Sequence, residues 1–193
     1  MAEKKNRGIF TIGHSTRSGE EFVELLRVHG VQRLVDVRSI PRSRHNPQFN
    51  RDELGPLLRR RRINYRHMKT LGGLRHPRAD STNTAWRNAG FRGFADYMQT
   101  PQFQAALDKL IALAGEKPLA IMCAEAVPWR CHRGLIADAL TVRGIEVRHI
   151  ISRAAAKPHV LNPMAVVKGK SLTYPPQNGA KILPQRSQRT QRK

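Results

Sequence analysis

The reading of the fold turns on Gly8 to Val37, G-I-F-T-I-G-H-S-T-R-S-G-E-E-F-V-E-L-L-R-V-H-G-V-Q-R-L-V-D-V. Its first residues, Gly8-Ile9-Phe10-Thr11-Ile12, are apolar and β-branched and run into Gly13-His14-Ser15, the pattern of a strand ending in a tight turn. Ser18-Gly19-Glu20-Glu21 then reads as a capping box, with Phe22, Leu25 and Leu26 at helical spacing behind it and Gly30 as the stop. Leu34-Val35-Asp36-Val37 is a second strand, so about 30 residues complete a β-α-β unit.

The same alternation continues outward. A proline-punctuated polar loop, Arg38 to Phe49, leads to a helix that starts at Asn50, turns Leu54, Leu57 and Leu58 inward and ends in Arg59 to Arg62. Cations suit a helix C-terminus, so that arginine run is read first as helix chemistry and solvated surface. Ile63 to His67 is a third strand, leading into Leu71-Gly72-Gly73, and Leu74 to Gly93 has no period, a length of loop that is usually functional or mobile. Phe94 to Met98 reads as a short helix. Thr100-Pro101 opens a longer one through Phe103, Ala106, Leu107, Leu110, Ile111 and Leu113. Leu119-Ala120-Ile121-Met122 is apolar throughout, as a strand covered on both faces should be. A helix from Arg133 to Arg143, closed by Gly144, and a strand from Ile145 to Ile150 follow. Alternating strands and helices predict an α/β fold: a mostly parallel sheet with helices on both faces, a Rossmann-like three-layer architecture. One α/β domain is expected over residues 8–175, with a disordered basic tail over 176–193.

The formal charge is +21, from 35 basic and 14 acidic residues. The tail holds Lys181, Arg186, Arg189, Arg192 and Lys193 and no acid, which leaves +16 for the rest of the chain. Such a field attracts polyanions, so nucleic acid or a phosphorylated small molecule is the expected partner; a solvated arginine surface that binds nothing is the plainer alternative. No apolar run approaches the roughly 18 residues of a membrane span, and M-A-E-K-K-N-R-G lacks the apolar stretch of a secretory signal. No membrane partner is expected. The expected setting is cytoplasmic and reducing, with Cys123 and Cys131 as thiols rather than a structural disulfide.

Parallel sheets of this kind bind ligands at the carboxyl ends of their strands. His14 and Ser15 follow the first strand, Asp36 and Arg38 end the second, and Cys123 and Glu125 follow the most apolar one, so three loops meet at one rim. The segment M-C-A-E-A-V-P-W-R-C-H-R, Met122 to Arg133, holds both cysteines, a glutamate, a histidine and two arginines within twelve residues. Three chemistries compete for it. A cysteine nucleophile at a strand end matches phosphatases and sulfurtransferases, whose loop N–H groups and helix N-terminus lower the thiol pKa. Protein phosphatases, however, place an arginine six positions on, where this chain has Trp129, and Glu125 and Pro128 interrupt the loop; Cys123 as a small buried hydrophobe is the plainer role. Zinc finds candidate donors in Cys123, Cys131, His132 and His14, but not the C-x₂-C spacing, so no metal or other cofactor is expected. An anion pocket fits best: Cys131-His132-Arg133 opens a helix whose free N–H groups and dipole favour negative charge, and Arg130, Arg133 and Arg38 add cations.

The expected catalytic residues are accordingly His14, Asp36 and Glu125 for acid–base work, with Cys123 as the nucleophile, and the expected anion-binding residues are Ser15, Arg38, Arg130, Cys131, His132 and Arg133. Structural roles stand beside these: an ion pair for Asp36, a helix cap for Glu125, a backbone hydrogen bond for His132.

Thr11-Ile12-Gly13-His14-Ser15, Asp36-Val37-Arg38 with Pro41 and Ser43, Tyr65, Leu71-Gly72-Gly73, Met122-Cys123-Ala124-Glu125, Cys131-His132-Arg133, His159 and Leu172-Thr173-Tyr174-Pro175 together resemble the family called domain of unknown function 488. The resemblance covers about Phe10 to Pro175 and implies a compact α/β domain whose rim shares His14, Asp36, Arg38, Cys123, Glu125, Cys131, His132 and Arg133. It supplies no activity. The expected function is an enzyme acting on a phosphate-bearing substrate, nucleic acid or nucleotide being favoured by charge, through hydrolysis or group transfer at a phosphate or glycosidic bond. Two alternatives remain open: a non-catalytic nucleic-acid-binding module, and a cysteine-dependent enzyme of the sulfurtransferase or phosphatase kind.

Overall fold

The computed structural model describes residues 8–176; the expected tail, from residue 177 on, lies outside the described residues. β1 (Ile9–Gly13) leads to α1 (Gly19–Val28), where the Ser18 hydroxyl accepts from the Glu21 N–H at 3.0 Å, as the capping pattern requires. β2 (Arg33–Asp36), α2 (Arg51–Arg60) and β3 (Asn64–His67) follow. The second half runs α3 (Ala89–Met98), α4 (Pro101–Glu116), β4 (Leu119–Cys123), α5 (His132–Val142) and β5 (Val147–Ile150). A two-residue β6 (Lys157–Pro158) and a hairpin of β7 (Val166–Lys168) and β8 (Ser171–Thr173) complete it.

The main sheet has the order β3-β2-β4-β1-β5-β6. β1 to β5 are mutually parallel and only β6 is antiparallel, so the sheet is mostly parallel, as the alternation of elements predicted. β4 slots between β2 and β1, and all five of its residues are buried. Because side chains alternate across a strand, its Ala120 and Met122 join the core under α1 and α2, with Ile12, Phe22, Leu26, Leu34, Leu54 and Leu58. Its Leu119, Ile121 and Cys123 join the opposite core under α3, α4 and α5, with Phe94, Phe103, Leu110, Leu135 and Ile136. The helices cover both faces, completing the three layers.

Three local expectations need correction. α3 begins at Ala89, not Phe94, because the Asn88 side chain caps it by accepting from Gly90 N and Phe91 N. The long loop before it is tied down through Asp96, which accepts from Arg78 N at 2.9 Å, the Ser81 hydroxyl at 2.6 Å and the Asn83 amide at 2.7 Å. The strands β6 to β8 have no counterpart in the sequence reading, since two or three mostly exposed residues carry no readable period. Arg59 and Arg60 end α2, and Arg61 and Arg62 follow in the turn just before β3 begins, which puts all four at the amino ends of the strands, opposite the rim.

Candidate functional site

The carboxyl ends of β1, β2 and β4 are laced together by backbone hydrogen bonds. His14 N donates to Cys123 O at 3.0 Å, Ser15 N to Ala124 O at 2.8 Å and Val37 N to Met122 O at 3.0 Å. Ser15 takes a φ of 51°, in the left-handed region that few non-glycine residues occupy. Gly13 lets the loops close: a Cβ there would lie 1.8 Å from Glu125 O. The rim expected from sequence therefore exists, but the sheet divides it.

On the α1–α2 side lies a buried polar knot. Asp36, paired in register with Met122, points to that face, is wholly buried, and accepts from Arg38 Nε at 2.9 Å, Arg38 Nη2 at 2.7 Å and the Tyr65 hydroxyl at 2.8 Å. Arg38 also donates to Phe49 O at 2.7 Å, and Phe49 stacks on His14 at a ring separation of 4.3 Å. Burial lowers the His14 pKa to about 4, with the Arg38 charge adding to the effect, so the ring is neutral near pH 7. Its Nδ1 lies 2.8 Å from Ser15 O, so the proton sits there; Nε2 then accepts from Arg38 Nη1 at 3.4 Å. His14 and Asp36 thus have their polar atoms satisfied within the protein, and the Arg38 guanidinium is spoken for.

On the α3–α5 side the carboxyl ends open into a cavity of about 360 Å³, lined by Arg38, Ser39, Ile40, Arg42, Gly73, Leu74, Asn88, Gly90, Phe91, Cys123, Ala124, Glu125, Arg130, Cys131 and His132. Six of the expected site residues line it, while His14, Ser15, Asp36 and Arg133 do not. Arg42, Glu125 and Arg130 are exposed there, and among the described residues their side chains make no hydrogen bond. Arg42, Leu74, Asn88 and Phe91 are missed by sequence reasoning, because they sit in the proline-rich loop and the aperiodic stretch where no strand end marks a position.

Arg133 lies wholly buried beneath the cavity. Its Nη1 donates to Cys123 Sγ at 3.6 Å and its Nη2 to Ala126 O at 3.3 Å, while its Nε has no partner among the described residues. Among those residues no carboxylate forms an ion pair with it within 4 Å, and burial, aided by the Arg17 charge, lowers its pKa to about 9 while Glu125 opposes the shift. A buried cation with neither full hydrogen bonding nor a paired carboxylate is costly.

Cys123 and Cys131, expected as separate thiols, are instead joined sulfur to sulfur along the cavity wall, with Cα atoms 7.6 Å apart. Cys131 is the N-cap of α5, its sulfur receiving the Arg133 N–H at 3.4 Å. His132 donates from Nε2 to Val37 O at 3.0 Å, which leaves Nδ1 as an acceptor 3.5 Å from Cys131 Sγ. Burial lowers the pKa of this histidine also to about 4. Its ring is packed against Phe94 and against Gly73, where a Cβ would stand 2.5 Å from Nδ1; the second glycine after Leu71 therefore leaves room for the histidine of the C-H-R motif.

A second buried network runs below the site. Thr11 Oγ1 meets His149 Nδ1 at 2.7 Å, His149 Nε2 meets His159 Nδ1 at 3.0 Å, and His159 Nε2 meets Asp138 at 2.8 Å. Asp138 accepts also from the Tyr174 hydroxyl at 2.7 Å. The Asp138 carboxylate only accepts, so His159 donates to it from Nε2. This network ties the C-terminal segment to α5 and opens on no part of the cavity.

A parallel α/β sheet with a cysteine-bearing cavity at its carboxyl edge is the class that fold and site define. The family described as "Domain of unknown function DUF488" matches residues 18–140, and the chain belongs to that family. The match runs from the cap of α1 into α5; the T-I-G-H-S and L-T-Y-P segments lie outside it. No curated protein and no solved structure matches the chain.

Proposed function

We propose that the chain is an enzyme that binds a phosphate-bearing substrate in the 360 Å³ cavity and acts on it by group transfer or hydrolysis. The observation that carries this reading is Arg133: a fully buried guanidinium with an unpartnered Nε, under a cavity whose mouth presents Arg42 and Arg130. Together with the N-terminus of α5, they form a field for a compact anion. Ile40, Leu74 and Phe91 give the cavity an apolar wall beside these cations, and Ile40 and Leu74 are 61% and 72% exposed. Cations beside an apolar wall suit a nucleotide better than a free phosphate.

Within this reading the acid–base work falls to Glu125, whose carboxylate is exposed in the cavity. His14 and Asp36 become positioning residues that hold Arg38 and the β1 and β2 loops in place. The test is a turnover screen over nucleoside phosphates and short single-stranded nucleic acids, with binding measured in parallel. Glu125→Gln is expected to keep binding within about threefold while losing roughly 10²–10⁴-fold in kcat. Turnover at the wild-type rate in Glu125→Gln, or binding with no turnover of any compound, would overturn the enzymatic assignment and favour a binding module.

A further inference from the structure

We propose that Cys123 and Cys131 are a redox-active dithiol, a site for exchange with small anionic disulfides. Four observations converge on it. The two sulfurs are joined in the structure, and both cysteines line the cavity. The wholly buried Arg133 turns a guanidinium nitrogen to Cys123 Sγ and finds no carboxylate among the described residues, so a Cys123 thiolate is its natural counter-ion. Cys131, at the helix start, receives the Arg133 N–H on its sulfur, a contact that favours the thiolate there. Arg42 and Arg130 at the mouth select a negatively charged partner. This last point rests on the anion cavity of the proposed function and Arg133 is shared by both readings, whereas the joined sulfurs belong to the dithiol alone.

The chemistry balances as two exchanges. The Cys123 thiolate attacks one sulfur of R–S–S–R, forming Cys123–S–S–R and releasing R–S⁻. Cys131 then attacks Cys123 sulfur, the internal disulfide forms, and the second R–S⁻ leaves with the Cys131 proton. The dithiol supplies two electrons, the substrate disulfide accepts them, and a second low-molecular-weight thiol returns the pair to its reduced state.

The full-length chain, reduced and then freed of reductant, is mixed with glutathione disulfide. One internal disulfide per chain and two equivalents of glutathione are expected. Cys131→Ser should instead stop at a glutathione adduct on Cys123, formed at a rate that changes little from pH 8 to pH 6; an ordinary thiol slows about tenfold per unit below a pKa of about 8.5. A neutral disulfide, bis(2-hydroxyethyl) disulfide, should react at least about tenfold more slowly at low salt, and Arg130→Ala should narrow that gap. Should Cys131→Ser fail to fold, the wild-type chain provides the same test through the glutathione it releases and the pH profile of that release. The proposal is overturned if both cysteines stay thiols throughout, or if exchange falls with pH as for free cysteine. Exchange without binding of inorganic phosphate would sink the phosphate reading alone; phosphate binding without exchange would sink this one alone.

Discussion

At the scale of single residues, depth decides what a polar group does. Asp36 and Arg38 are both buried and bound to each other, and Tyr65 completes the carboxylate's shell. Removing one member leaves the other charged and unpaired, so Asp36→Ala is expected to cost about 3–5 kcal/mol of stability. Tyr65→Phe removes one hydrogen bond to a charge and should cost about 1.5–3 kcal/mol. Replacing both partners, Asp36→Leu with Arg38→Met, should cost less than Asp36→Ala alone. Urea denaturation orders the three, and an Asp36→Ala protein as stable as wild type would contradict the knot described. The sequence places His14, Asp36 and Cys123 at strand ends but carries no measure of depth, and so groups them in one pocket. The pairing register separates them: Asp36 lies beside Met122 and faces α1 and α2, whereas Cys123 faces α3 to α5. Side-chain parity along β4 carries that signal once the strand order is known.

At the scale of elements, periodic segments are legible and contact-made ones are not. β1, α1, β2 and β4 follow from local pattern, because their apolar spacing and caps are complete within a few residues. α3 starts five residues early owing to one asparagine cap inside an aperiodic loop. Close approach between elements is equally hidden, as at Gly13, where the Cβ of an alanine would overlap the Glu125 carbonyl. Gly13→Ala must push the β1 and β4 loops apart and is expected to cost more than about 2 kcal/mol. Thr100→Ala, at the cap of α4, should cost about 1 kcal/mol and leave the cavity alone. Equal costs for the two would show that the loops are not in contact as described.

At the scale of the whole molecule, three buried histidines set the acid limit. His14, His132 and His149 each have pKa values lowered to about 4 by burial, against 6.5 for the ordinary side chain. The neutral forms are favoured by folding, so the stability they contribute is complete above pH 6.5 and lost as pH falls towards 4. After allowance for partial solvent screening, each contributes a loss of roughly 1 kcal/mol by pH 5. The urea midpoint should therefore be level from pH 8 to pH 7 and fall from pH 6.5 to pH 5. His149→Gln should shallow that fall, and an unchanged slope would show that this histidine takes no part in it.

The charge of the chain also sorts by position. Arg59 to Arg62 lie at the amino ends of the strands, while Arg42, Arg130 and Arg133 belong to the cavity end. A general polyanion field and a specific anion site are thus separable by mutation, and the central claim rests on the second. Calorimetric titration with pyrophosphate at low and moderate salt measures it directly. Saturable binding at one site per chain is predicted, weakened at least about tenfold by Arg130→Ala and unchanged by Arg59→Ala with Arg60→Ala. Binding that disappears with the α2 arginines and ignores Arg130 would contradict it.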